Sequence, residues 1–418
     1  MKKRLVGFAL MIILASPVFA DFSFSGLIGS GITILNGTSR SGDSFFAGGS
    51  LWGRLQVDAQ NGNGTLGGVL RLKAVLDLIT SQDELNKWGT FNPYAWIWWQ
   101  PLEQLKIQVG FIDEFYTSDI VAWDFHGNDA DDYVAAAGGN HSDDILYKAT
   151  GFYDGTWWTG AMVSIKPIPG LAINAAVPYQ LGNIIDSGTL ERTKAHDVYF
   201  NILGQITYEI PDIGRIAVTY EGKGDSKLEV LSASANGEEM PLDALIVNTN
   251  ASTIYTSFLL KALEDSGVGV NLGFAYTLPS KSGNVTYYTP MAAGLGVSFA
   301  MKAFEVKLRV AATFFGKLDN GFASYEEPFK LGVGIVPTYD FGFCKVHFNA
   351  GLVYTAKDSF DDGFGVIVEP NPFVAWHVNP FVTKSIGPSI LFAGLQLESS
   401  FVGNSVRWAI PIGAQLEF

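Results

Sequence analysis

The chain has 418 residues, 27 of them Lys or Arg against 41 Asp or Glu, with a formal charge of −14, 47 glycines and a single cysteine. One cysteine, Cys344, excludes an internal disulfide framework and a thiolate metal cluster. The acidic balance argues against nucleic acid as a partner, because phosphate binding needs a basic face.

Residues 1–20 read as a secretory signal peptide. Met1-Lys2-Lys3-Arg4 is the charged start, Leu5 to Leu14 the apolar centre, and Ala15-Ser16-Pro17-Val18-Phe19-Ala20 the small-residue approach to a cut after Ala20. Its removal leaves 24 basic against 41 acidic residues, a formal charge of −17. The apolar run is too short for a spanning helix, and past it no run approaches the roughly 18 apolar residues that such a helix needs.

Residues 21–418 instead alternate with period two, which places successive side chains on opposite faces of strands. Strands are expected near 22–35, 46–59, 65–78, 91–100, 104–114, 152–165, 171–178, 197–210, 214–222, 252–261, 268–278, 290–301, 303–315, 328–337, 343–356, 366–379, 389–398 and 405–418. That is about eighteen; the segments 92–100 and 251–261 alternate poorly, so sixteen stays an alternative. One file is free of charge. Phe304, Val306, Leu308, Val310, Ala312 and Phe314 oppose Glu305, Lys307 and Arg309 on one strand, and Leu66, Leu70, Leu72, Leu76 and Leu78 oppose Arg71, Lys73 and Asp77 on another.

The joints between strands sort by length. Odd joints are long and polar, beginning with 36–45 and including 115–151 and 223–250, whereas even joints such as Asn61-Gly-Asn-Gly64, Pro211-Asp-Ile213 and Asp340-Phe-Gly342 are tight and carry turn residues. Short turns on one rim and long loops on the other fit an all-β, antiparallel up-and-down transmembrane β-barrel. Aromatic residues near strand ends, among them Phe22, Phe24, Tyr94, Trp96, Trp98, Trp99, Trp157, Trp158, Tyr287, Tyr288, Trp408 and Phe418, fit interfacial girdles, with core stacking as the competing assignment. The final segment, Ser405 to Phe418, alternates to its last aromatic residue and must close the barrel against 22–35, since lipid tolerates no open edge.

With that register the interior receives a basic wall of Arg54, Arg71, Lys73, Lys106, Arg215, Lys307, Arg309, Lys345 and Arg407, interspersed with Asp58, Asp77, Glu209, Glu221, Glu305 and Glu417. Small interior positions at Gly294, Gly296, Gly332, Gly334 and Gly351 suit an open bore. The surplus acid then lies in loops, above all in 115–151 with Asp119, Asp124, Asp129, Asp131, Asp132, Asp143 and Asp144. The run Asp124-Phe-His-Gly-Asn-Asp-Ala-Asp-Asp132 is rich in oxygen ligands but lacks the spaced terminal Glu of a helix-loop-helix calcium site, so no metal and no cofactor is expected.

From the signal, the alternation, the loop sorting and the terminal aromatic strand, the chain resembles the bacterial outer-membrane porins and porin-like channels. The run Ala95-Trp-Ile-Trp-Trp-Gln-Pro-Leu-Glu-Gln-Leu-Lys-Ile-Gln-Val-Gly110 also looks like hairpins of porin-like spirochaete membrane proteins. The resemblance implies a water-filled outer-membrane channel for passive diffusion of small polar solutes, surrounded by outer-membrane lipid. It further implies recognition of the strand ending at Phe418 by the barrel assembly machinery, a third long loop that narrows the bore, and a homotrimer. Two other functions compete: a surface adhesin or structural barrel using the loops 115–151 and 223–250, and a membrane-embedded hydrolase. The hydrolase is disfavoured because none of His126, His141, His196, His347 and His377 lies beside a recognisable nucleophile and no G-x-S-x-G elbow occurs.

Overall fold

The computed structural model describes residues 21–39, 42–77, 90–112, 158–178, 202–222, 252–261, 263–278, 291–314, 329–356, 373–399 and 406–418, together with short loop strands. They form one closed antiparallel barrel. Its strands are β1 (Asp21–Thr38), β2 (Gly42–Gln60), β3 (Leu66–Asp77), β4 (Thr90–Leu102), β5 (Leu105–Ile112), β6 (Trp158–Ile168), β7 (Leu171–Pro178), β8 (Leu203–Ile210) and β9 (Gly214–Glu221). They continue as β10 (Thr253–Leu260), β11 (Val268–Thr277), β12 (Met291–Met301), β13 (Phe304–Phe314), β14 (Lys330–Asp340), β15 (Lys345–Thr355), β16 (Phe373–Ile386), β17 (Ser389–Gly394 and Gln396–Ser399) and β18 (Val406–Glu417).

The two pieces of β17 keep one register against both β16 and β18. The break at Leu395 faces Pro380, whose carbonyl accepts from Leu395 N at 2.9 Å but which has no N–H to return. The count is therefore eighteen, and sixteen is set aside. Each strand pairs with its chain neighbours, and β1 closes on β18 over Leu27–Thr38 and Arg407–Glu417. Gly26 N to Phe418 O at 2.8 Å and Phe418 N to Gly26 O at 3.0 Å extend that seam to the last residue.

Alternation explains the wall. On the outer face Ile28, Ile32, Leu55, Ile97, Val163, Ile206, Val218, Leu272, Leu295, Leu308, Ile335, Leu352, Val382 and Leu416 are exposed. Among the described outward positions the register places two charged residues, Asp43, the second residue of β2 and opposite Gly37, and Lys384, two positions before the end of β16 and opposite Leu391. Even joints turn sharply. Gly64, Gly170, Asp212, Gly267, Lys302, Gly342 and Gly387 reach positive φ, and all seven lie in joints that follow an even-numbered strand.

Three features depart from the sequence expectation. The strand expected at 366–379 runs instead over Phe373–Ile386. The first odd joint, expected as the long loop 36–45, is short, because β1 and β2 remain paired out to Thr38 and Gly42. The register of β1 also slips between Thr33 and Leu35, so its inward file passes from odd numbers to even ones, with Asn36 opposite Ala409 and Thr38 opposite Arg407. In the long joints after β11, β13 and β15, the pairs 281–282 with 285–286, 317–319 with 324–326 and 359–361 with 367–368 join in a second, six-stranded sheet.

Candidate functional site

The inner wall gathers the polar side chains, so it is the surface on which chemistry can occur. Arg54, Arg71, Lys106, Arg215, Lys307, Arg309, Lys345 and Arg407 all occupy inward register positions. Arg54 pairs with Leu27 and Lys73, Lys307 with Ser298, Arg309 with Gly296 and Gly334, and Lys345 with Thr383. Lys73 shares Arg54's face by that pairing; its side chain lies outside the described residues. The seven aspartates Asp119 to Asp144, the signal segment 1–20 and the loop histidines also lie outside them.

Most wall cations have wall partners. Arg407 Nε lies 3.0 Å from Glu398 Oε1, Lys261 Nζ lies 3.0 Å from Glu209 Oε2, and Arg215 Nε is 4.0 Å from the other oxygen of the same carboxylate. Lys307 Nζ is 3.4 Å from Glu305 Oε1. Arg71 Nε donates to Gln56 Oε1 at 2.9 Å, and its guanidinium carbon stands 5.3 Å from the centre of the Trp96 ring. Lys106 Nζ stands 5.8 Å from the Trp98 ring centre. Sequence reasoning missed Glu398, Lys261 and Lys330. Parity reveals the last, since Lys330 shares a file with Gly332 and Gly334; the other two sit at strand ends, where local alternation gives little.

The aromatic assignment needs correction. Tyr94, Trp96 and Trp98 point inward beside Arg71 and Lys106 rather than joining a girdle, which also explains why 92–100 alternates poorly: both of its faces are apolar. Phe111 joins them, its ring centre 4.3 Å from that of Tyr94 and 6.3 Å from that of Trp96. A second inward group comprises Trp52, Phe381 and Phe392, with centres 6.5 Å apart for Trp52–Phe392 and 5.9 Å for the stacked phenylalanines. Four of the inward rings each cover a glycine on a neighbouring strand: Trp52 covers Gly29, Trp98 Gly67, Phe381 Gly394 and Phe392 Gly413. Phe22, Phe24, Trp99 and Phe418 are exposed on the outside, as expected.

A band of the inner wall is closed to solvent. Gln108, Asn271, Thr313 and Asn349 are 0% exposed, and His377, Asn379, Gln396, Glu398 and Glu221 are at most 3%. Buried polar groups need partners. Gln205 Nε2 donates to Thr219 Oγ1 at 2.8 Å, Tyr255 Oη to Glu221 Oε2 at 3.0 Å, and His377 Nε2 lies 3.2 Å from Asn349 Oδ1.

One histidine does have hydroxyl partners, which its place in the sequence does not show. His347 Nδ1 lies 3.1 Å from Thr338 Oγ1, and its Nε2 lies 3.1 Å from Thr383 Oγ1. Those threonines come from β14 and β16, a pairing that no sequence spacing displays. Both ring nitrogens are thereby engaged, so the imidazole braces three strands and leaves no free nitrogen to act as a base. Among the described residues no group of three or more His, Cys, Asp or Glu is placed to hold a metal ion.

No family model matches the chain, and no curated protein matches its sequence. Solved structures do. The chain is similar to a BenF-like porin from Pseudomonas fluorescens at TM-score 0.57 and 11% identity, covering 96% of this chain and 100% of that one. OpdK of Pseudomonas aeruginosa, solved with vanillate, is similar at TM-score 0.53 and 10% identity, covering 95% and 99%. OpdL of the same organism is similar at TM-score 0.52 and 14% identity, covering 96% and 99%. At such identities the likeness is one of fold.

Proposed function

We propose that this protein is an outer-membrane porin, a channel and not an enzyme, through which small polar solutes diffuse passively. One observation carries the reading: a closed eighteen-strand barrel whose outward positions are apolar and whose inward positions hold nearly all the charge. A soluble barrel has no use for an apolar belt exposed on most of its strands, whereas lipid outside and water inside require that arrangement. The whole-chain likeness to Pseudomonas porins supports it; the spirochaete likeness rests on residues 95–110 alone. A wall that mixes cations with aromatic rings suits small organic anions, and vanillate, bound by OpdK, is a molecule of that kind.

In this reading the signal is cut after Ala20, the strand ending at Phe418 is what the barrel assembly machinery recognises, and three copies associate in the membrane. Deleting Phe418 is expected to lower the folded yield in cells while refolding in detergent proceeds; equal yields in cells would remove the recognition role. Cross-linking in native membranes should trap three copies and no more.

The loop 115–151 is proposed to narrow the bore, setting Asp119, Asp124, Asp129, Asp131, Asp132, Asp143 and Asp144 against the wall cations. What supports this is the exit from β5. Gly110 takes φ 121° and Phe111 turns to the inner wall, where Gln108 Nε2 donates to the Phe111 carbonyl at 3.2 Å. Liposome swelling tests both ideas. Proteoliposomes of the full chain should admit pentoses and hexoses, and deletion of 120–143 should raise the rate and the size limit. No swelling would favour a closed structural or adhesive barrel; swelling unchanged by the deletion would remove the constriction.

A further inference from the structure

The wall cations do not weigh equally in the field of the bore. Arg215 and Lys261 share the single carboxylate of Glu209, which leaves that cluster one net positive charge at the short-turn rim, whereas Arg407 and Lys307 each stand within 4.0 Å of a carboxylate of their own. Such a pair acts on a passing ion as a dipole, whose field falls faster with distance than that of a single charge. Arg71 is tied to Gln56 and Trp96, Arg309 is only 9% exposed, and Lys345 faces Asp340 across the β14–β15 register.

Arg54 differs from all of these. Its side chain is exposed, and it has no hydrogen bond or ion pair among the described residues. Its register partners are Leu27 and a second cation, Lys73. The inward residues flanking it on β2 are Trp52 and Gln56, and the Gln56 amide is already engaged with Asp58 and Arg71. The nearest acid on its own strand, Asp58, is four residues away, about 13 Å along the backbone, which exceeds a Debye length of about 8 Å at physiological salt. Two like charges directly opposed across strands work against the fold; the wall acid in the same row, Glu417, lies across Leu27, two strands and about 10 Å away, and no described carboxylate forms an ion pair with Arg54.

We infer that Arg54, with Lys73 in register beside it, is the wall charge that sets the ion preference of the bore toward anions, while Arg407 and Lys307, each matched by a carboxylate of its own, are electrically near-silent and serve the wall itself. This rests on the channel reading. The test is the reversal potential of the refolded full chain in planar bilayers under a KCl gradient. Arg54→Gln should lower the chloride-to-potassium permeability ratio on the order of fivefold, since removing a wall charge moves the two ions in opposite directions. Arg54→Glu should lower it further, and Arg54→Lys should hold it near the parent value.

Removing a whole pair, Glu398→Gln with Arg407→Gln or Glu305→Gln with Lys307→Gln, keeps the net charge and should leave the ratio near the parent value. The inference is overturned if Arg54→Gln leaves the ratio unchanged, or if either pair removal shifts it as far. Heat-modified gel migration verifies that each variant is folded. A folded parent that fails to conduct would sink the channel reading itself.

Discussion

Leu308→Arg is expected to cost the folded barrel about 2–4 kcal/mol, the cost of a basic side chain held toward mid-bilayer. Leu308 sits midway along β13, outward and 40% exposed, between Val297 and Ile335 in register. The same substitution at Ser298, an inward neighbour across the β12–β13 pair, places the guanidinium on the inner face beside Lys307 and should cost well under half as much. Urea midpoints of the two variants in liposomes, followed by tryptophan fluorescence, make the comparison. Equal losses would mean that the two faces are not the two solvents described above.

Gly110→Ala carries the second large effect. A Cβ there would lie 2.3 Å from the Ala95 carbonyl oxygen and 2.7 Å from Trp96 Cα, both backbone atoms that cannot swing aside, and φ 121° is essentially closed to residues with a side chain. The conformation alone costs about 1–3 kcal/mol, and relieving the contact must pull β4 and β5 apart or return Phe111 to the outer file. Gly64, also at positive φ but with nothing within 4 Å of a Cβ, is the control. Gly64→Asn suits its turn and should be nearly neutral. The unfolding midpoint reports the cost, and the shape of the near-ultraviolet circular dichroism reports the Tyr94–Phe111–Trp96 cluster. A midpoint for Gly110→Ala as high as that for Gly64→Asn would contradict the strained exit from β5.

The barrel was readable in the sequence because it rests on short-range physics. Period two decides which face a residue takes, turn residues decide where a strand stops, and an even count follows once both ends must meet at one rim. Leu308 and Arg309 illustrate this: their alternation alone separates an outer position from an inner one. Partner choice is different, because it depends on register between segments far apart in the chain. Glu209 meets Lys261 across fifty-two positions, and His347 meets Thr383 across thirty-six. Alternation gives the faces of these residues but not their neighbours, so the wall cations read as equivalent when most are paired.

Apolar content misled in the other direction. Tyr94, Trp96 and Trp98 look like girdle residues until the strand's face is fixed by Arg71 opposite Tyr94. Their seat depends on glycines of adjacent strands, Gly67 among them, which carry no signal of what covers them. The slip in β1 between Thr33 and Leu35 is similarly invisible, because apolar residues run through both files there.

The measurement that bears most directly on the channel is single-channel recording of the refolded protein in planar lipid bilayers. Discrete, uniform current steps that grow linearly with voltage in 1 M KCl are the expected result. A barrel that is demonstrably folded and inserted, yet gives no current steps at any voltage that the bilayer withstands, would contradict it.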